Sequence, residues 1–216
     1  MFCFFTGFGF AQNTNTGNWM LYLGNQKITN KINWHNEVQY RNYNFIGDLK
    51  QLVFRTGIGY NLTENNNNIL LGYGFINSQD YLPNSNEKVS SNEHRIFQQF
   101  ITRQNIAPLQ LQNRFRIEER FLSNNFKLRL RYLLGVNIPF NNTTLIKNTV
   151  YLSAYNEVFL NTKNSIFDRN RLYGALGYVI NNTLKIEVGF MAQTLEKSNR
   201  NQFQLVFYNN LPFNGN

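Results

Sequence analysis

The feature that most constrains this chain is an alternation of side chains with a period of two, clearest between Phe126 and Phe140. There Phe126, Leu128, Leu130, Tyr132, Leu134, Val136, Ile138 and Phe140 share one parity. Lys127, Arg129, Arg131, Gly135 and Asn137 share the other, with Leu133 the one apolar exception before Pro139. A helix would scatter these residues round its circumference; an extended strand sorts them onto two faces. The preceding segment repeats the pattern. Leu109, Leu111, Phe115, Ile117 and Phe121 oppose Gln110, Gln112, Arg114, Arg116, Glu118 and Arg120.

The same sorting recurs along the chain. Ile32, Trp34, Val38 and Tyr40 oppose Asn33, His35, Glu37, Gln39 and Arg41, and Leu52, Phe54, Ile58 and Tyr60 oppose Gln51, Arg55, Gly57 and Gly59. Leu172, Leu176, Tyr178 and Ile180 oppose Arg169, Arg171 and Tyr173, while Leu184, Ile186, Val188 and Phe190 oppose Lys185, Glu187, Gly189 and Met191. Eleven candidate strands follow, roughly 18–28, 31–42, 49–62, 67–79, 92–105, 108–122, 126–140, 148–160, 169–181, 183–195 and 200–211, with no convincing helix among them. Composition agrees: only 15% of residues are charged against 42% hydrophobic, and 16% are aromatic. Asn-rich runs such as Glu64 to Asn68 read as turns.

Long alternating strands fit either a soluble sandwich or barrel with its apolar face inside, or an all-β antiparallel transmembrane β-barrel with its apolar face toward lipid. Three features favour the second. Segments of about 12–15 residues exceed the usual globular strand and suit a tilted membrane crossing. Aromatic residues near strand ends (Trp19, Trp34, Tyr60, Tyr73, Phe121, Phe140, Phe207) suit interfacial girdles. The polar face is rich in Gly and Arg, which suits a crowded lumen. Bacterial single-chain barrels have even strand numbers, so about twelve strands are expected, with ten as the alternative. Thr29-Asn30, Asn105 to Ala107, Ser123 to Asn125 and Asn181-Asn182 read as hairpin turns, and Tyr81 to Ser91 and Asn161 to Asp168 as longer external loops.

The chain divides into residues 1–11 and a barrel domain over 12–216. The apolar run from Met1 to Ala11 resembles the core and cleavage site of a secretory signal; with no Lys or Arg ahead of it, it reads as the remnant of a longer leader. The single cysteine, Cys3, lies inside that run, so the exported chain would hold no thiol for a disulfide or a metal. No later stretch is apolar enough to span a membrane as a helix. The expected location is the bacterial outer membrane.

Six segments in order, Glu37 to Arg41, Arg55 to Tyr60, Glu93 to Gln99, Arg114 to Phe121, Asn156 to Asn161 and Phe167 to Tyr173, resemble the domain of unknown function 2490 family, small outer-membrane barrels common in Bacteroidetes. The likeness spans about residues 18–211. It implies a barrel in the outer membrane and no particular reaction.

The net charge of +9, from 21 Lys and Arg against 12 Asp and Glu, falls largely on the polar face. Glu37, Arg41, Arg55, Arg114, Arg116, Glu118, Arg120, Lys127, Arg129, Arg131, Glu157, Arg169, Arg171 and Glu187 are the candidate lumen charge network, with Arg95 and Arg103 as further contributors. Cross-strand neighbours lie about 5 Å apart, so the cations need partners. Two readings follow: an Arg–Glu–Gln network that fills the lumen and fixes the register, or a basic passage that admits small anionic solutes. Nucleic acid is a poor fit, because basic residues alternating inside a barrel present no exposed stripe to phosphates.

A lipid-active hydrolase or acyltransferase is the competing enzyme class, and a barrel binding a partner through its loops a third. His35, beside Glu37, reads as a lumen hydrogen-bonding residue, and His94 with Ser90, Ser91 and Glu93 makes a poor triad at such close spacing. Glu118 and Glu119 point to opposite faces and fail as a paired-carboxylate centre. Asp168 and Asn170 read as turn chemistry, and no metal or cofactor motif is present. The expectation is a non-enzymatic outer-membrane barrel, with its lipids as partners, that is either structural or a narrow pore.

Overall fold

A computed structural model of the chain describes residues 16–63, 66–163 and 165–212. Residues 1–11, read above as a signal remnant, lie outside the described residues. Eleven strands follow one another: β1 (Thr16–Lys27), β2 (Ile32–Asn42), β3 (Leu49–Asn61), β4 (Asn67–Tyr81), β5 (Lys88–Ile106), β6 (Leu109–Leu122), β7 (Asn125–Pro139), β8 (Val150–Asn161), β9 (Phe167–Val179), β10 (Leu184–Leu195) and β11 (Asn199–Asn209). The described residues contain no helix.

Each strand pairs antiparallel with the next, and the sheet closes where β1 pairs with β11 in parallel, Thr16 to Asn201 through Gly24 to Asn209. The fold is thus the expected all-β barrel of about twelve strands. The premise of even parity is corrected: an up-and-down meander of eleven described strands returns pointing the way it set out, so its seam must be parallel. Thr16 and Asn209 consequently lie at opposite ends of the barrel, and each end takes its name here from one of them.

The connections are short. At the Asn209 end lie residues 28–31, 62–63 and 66, 107–108, 140–149 and 180–183; at the Thr16 end lie 43–48, 82–87, 123–124, 162–163 and 165–166, and 196–198. The expected long loop after Tyr81 shrinks to six residues because β4 and β5 continue pairing from Gln79↔Ser90 to Tyr81↔Lys88. The loop expected before Asp168 shrinks likewise, with Phe167 already in β9. The longest connection is 140–149, where Asn141 and Asn142 take part in side-chain hydrogen bonds to residues 148–150.

The two faces sort as the alternation requires. Outward lie Ile58, Leu71, Leu172, Leu176 and Phe190, each more than half exposed, together with Met20, Val38, Phe54, Ile117, Tyr132 and Val188. Inward lie Glu37, Arg55, Arg95, Arg116, Glu118, Arg129, Glu157, Arg171 and Glu187, all buried. A water-soluble domain has the opposite arrangement, and an apolar belt right round a molecule far exceeds the few-hundred-Å² patches that soluble monomers tolerate. Of the proposed girdle aromatics, Tyr60, Tyr73, Phe121 and Phe140 are exposed, but Trp19 is not: it is 5% exposed and faces the lumen, in register with Arg41 and Gln204.

Glycine matters where a ring lies flat on the inner wall. A Cβ at Gly177 would sit 2.2 Å from Cζ of Tyr151, and one at Gly72 would sit 2.3 Å from Cζ of Phe97. Both rings come from the paired neighbour in the adjacent strand, so each glycine is the recess into which a cross-strand aromatic folds.

Candidate functional site

The lumen charges assemble around five carboxylates. Glu118, 0% exposed, accepts from Arg129 through Nε (3.0 Å) and from Arg131 through Nη1 (2.5 Å), with Arg95 and Arg116 each 3.7 Å away. Glu157 accepts from Arg131 (Nε, 3.0 Å) and Arg114 (Nη2, 2.7 Å), so Arg131 bridges two acids on different strands. Glu37 takes Arg55 and Gln39. Glu93 takes Arg95 through two bonds of 2.7 and 2.9 Å and Arg120 through two of 2.5 and 3.0 Å. Asp168 takes Arg129 (3.0 Å) and Arg169 (2.9 Å). Paired forks of this kind are the geometry in which a guanidinium is most effectively held.

Register explains why the acids are shared. Arg116 stands opposite Arg131 and Arg120 opposite Lys127, while Glu118 stands opposite Arg129. Like charges opposite one another repel, so the arginines bend towards acids on other rows or towards amides. Arg116 donates to Gln99 (Nε, 2.9 Å), Arg41 to Gln39 (Nε, 2.7 Å) and Gln51 (Nη1, 2.6 Å), and Arg171 to Gln193 (Nε, 2.9 Å).

Aromatic rings take up part of the remaining charge. The guanidinium carbons of Arg131, Arg171, Arg129 and Arg169 lie 4.4, 4.7, 5.2 and 5.8 Å from the Phe159 ring centroid. Arg116 lies 4.5 Å from Phe97, and Arg41 and Arg171 lie 3.9 and 5.0 Å from Trp19. Each close cation–ring contact is worth about 0.5–2 kcal/mol.

Glu187 is the exception among the predicted acids. No cation lies within ion-pair distance among the described residues; instead the hydroxyls of Tyr151 (2.9 Å), Tyr208 (3.1 Å) and Tyr173 (3.2 Å) donate to it. Tyr151 reaches it from β8 by lying across Gly177, the residue of β9 that pairs with both. Lys127 stays exposed at the Thr16 end, with no ion pair among the described residues. The other twelve predicted residues meet in the lumen, together with Arg95; Arg103 bonds Gln112 (Nε, 3.2 Å) nearer the Asn209 end.

Sequence reasoning missed several participants. Glu93 was weighed only beside His94, although its spacing of two from Arg95 already put both on one face. Asp168 was read as turn chemistry, yet it is the acid for Arg129 and Arg169. No local signal marks Trp19 and Phe159 as cation platforms or the three tyrosines as partners of Glu187.

The histidines part company. His35 faces the lumen, 3.5 Å from Glu37 and edge-on to Phe97. His94 faces outward, with Nδ1 2.5 Å from the Tyr73 hydroxyl, while Glu93 faces inward, so no triad assembles there. Glu119 likewise points outward, accepting from Gln98 (3.3 Å), away from Glu118.

The filling is uneven along the axis. Towards the Thr16 end, Val53, Ile76, Phe159, Met191 and the Glu93–Arg95–Arg120 and Asp168–Arg129 clusters occupy the interior. At mid-lumen lies a cavity of about 240 Å³ lined by Trp19, Arg55, Arg114, Arg171, Leu133 and others. It shares Glu37, Arg114, Arg116, Lys185 and Tyr208 with a wider cavity of about 720 Å³ that reaches Lys27, Asn30 and Asn182 at the Asn209 end. Outside the Thr16 end, loop 43–48 is clamped to the β4–β5 hairpin: the Tyr43 hydroxyl donates to Asp80 (2.9 Å) and Tyr81 to Asp48 (3.0 Å). Burial and the Asp80 carboxylate push the Tyr43 hydroxyl up to about 12.

An apolar outer wall around an arginine-rich, partly filled interior defines a closed β-barrel protein of the inverted type. The family model described as "Protein of unknown function (DUF2490)" matches residues 16–204, and the chain belongs to that family. No curated protein and no solved structure matches it.

Proposed function

We propose that this chain is a non-enzymatic bacterial outer-membrane barrel whose lumen is a blind, basic cup, open at the Asn209 end and stopped by ion pairs towards the Thr16 end. The observation that carries the reading is the inversion of faces: leucines and phenylalanines outward, arginines and glutamates inward. In lipid the outer wall needs no cover, and closure leaves no unpaired strand edge. The apolar run from Met1 to Ala11 supports export. The outward His94 and the fully paired Glu118 and Glu157 support a role in binding or structure rather than catalysis.

The test has two arms. Chain refolded into phospholipid vesicles should resist extraction by alkaline carbonate, and should aggregate when detergent is diluted away without lipid; a monomer soluble without detergent overturns the membrane reading. In planar bilayers the inserted protein should give no stable conductance steps. Steady steps in the wild type would make the lumen a through-passage instead of a cup.

A further inference from the structure

We infer that the mid-lumen cavity is a binding site for a compact oxyanion, a carboxylate or phosphate group, held by the guanidinium of Arg171 with Arg55, Arg114 and the indole of Trp19 around it. The inference deepens the reading of the lumen as a basic cup and rests on it. Seven cationic side chains line this cavity against three carboxylates. Two of those carboxylates, Glu37 and Glu157, are already engaged by arginines, and the third, Glu187, has its oxygens taken by three tyrosine hydroxyls.

The donors are in the opposite condition. Arg171 makes no ion pair among the described residues and gives only its Nε hydrogen, to Gln193, leaving both terminal nitrogens without an acceptor. Nε of Arg55, Nε of Arg114 and Nε1 of Trp19 are enclosed with no hydrogen-bond partner among the described residues. Trp19 is itself 95% buried, and all four residues line the same space. Buried N–H groups are almost always paired, so the two free terminal nitrogens of Arg171, in a cavity whose carboxylates are all engaged, call for a guest that brings acceptors.

Charge and shape narrow the class further. A cation would be repelled and a neutral polyol would bring donors of its own. The flat two-oxygen edge of a carboxylate or phosphate matches a guanidinium fork. Leu133 and Val206 give the cavity an apolar side that suits a short carbon skeleton. At about 30 Å³ per water, the space holds roughly eight waters, which sets the scale of the guest. The route in runs through the wider cavity past Arg103, Lys27 and Lys185, all cationic.

The test uses the full chain folded in detergent micelles and carrying Trp34→Phe, which leaves Trp19 as the only tryptophan. Its fluorescence is titrated with succinate and with inorganic phosphate, against sodium chloride at matched ionic strength and against glycerol. Saturation with succinate, phosphate or both supports the site and says which source of oxyanion it takes. Arg171→Gln should weaken that binding about tenfold, since one charge-assisted pairing is lost, and Arg171→Lys should weaken it less. A response that never saturates, that chloride reproduces, or that is the same in Arg171→Gln and the parent overturns the proposal. Should Arg171→Gln fail to fold, unchanged affinity in Arg171→Lys, which loses the fork but keeps the charge, overturns it in the same way. Neither lipid nor conductance enters this readout, so its failure leaves the membrane barrel standing.

Discussion

The two halves of the lumen are built from the same strands and behave as different materials. Towards the Thr16 end, arginines and acids are matched nearly fork for fork, and Phe159, Ile76 and Val53 fill what remains. Towards the Asn209 end the inward positions turn small or amide-bearing: Gly57, Gly59, Asn68, Gly135, Asn137, Ser153 and Gly177. The cations there, Arg103, Lys27 and Lys185, are not matched by acids within ion-pair distance among the described residues. A charge in a filled interior must have a partner, because desolvation is costly; a charge in a water-sized cavity can keep solvent instead. Side-chain volume along the inward face therefore decides which half becomes a plug and which a cup.

The largest effect should come from the plug. Glu118→Gln removes the negative charge shared by Arg129 and Arg131, leaving Arg129 to Asp168 and Arg131 to Glu157 in a buried, over-cationic cluster, with an expected loss of about 3–5 kcal/mol, read as a shift in the urea midpoint of the folded band in detergent. A loss below about 1 kcal/mol would mean that water reaches Glu118, and the contrast between the halves would fall. An intermediate effect is expected where the hollow half packs a ring tightly against its wall. Gly177→Ala drives a methyl into the Tyr151 ring and should cost about 1–3 kcal/mol as the ring leaves Glu187; Tyr151→Phe alone, which keeps the ring and loses the bond, should cost about 1 kcal/mol. The smallest belongs to the open wall: Asn137→Ala, which loses no side-chain hydrogen bond among the described residues, should stay within about 0.5 kcal/mol by the same measurement. If Asn137→Ala costs as much as Glu118→Gln, the cup is filled in solution and the comparison breaks.

Much of this was legible along the chain because a strand's faces are a local property. Alternation alone placed Arg129 and Arg131 opposite Leu128 and Leu130, set Glu118 against Glu119, and turned Gly57 and Gly59 to the polar face. The eleven segments read from the sequence are the eleven strands observed, with boundaries shifting mainly in β5, which runs on to both sides. Trp19 shows where the reading fails. Its parity joins it to Leu21 and Leu23, an inward face whose one charge, Lys27, lies at the far end of the strand, so pattern gave no reason to turn it away from lipid. Its partners Arg41 and Arg171 come from β2 and β9, and only closure brings β9 within reach.

The sequence by itself determined the strands and sorted each into an apolar and a polar face, since the pleat repeats every two residues and needs no distant contact. Tertiary structure alone decided that the seam is parallel, that Arg131 joins Glu118 to Glu157, that four arginines crowd over Phe159, and that three tyrosines gather on Glu187. Those contacts cross the barrel or skip strands, so they depend on how many strands close and with what stagger, and neither quantity is written in the period of any single strand.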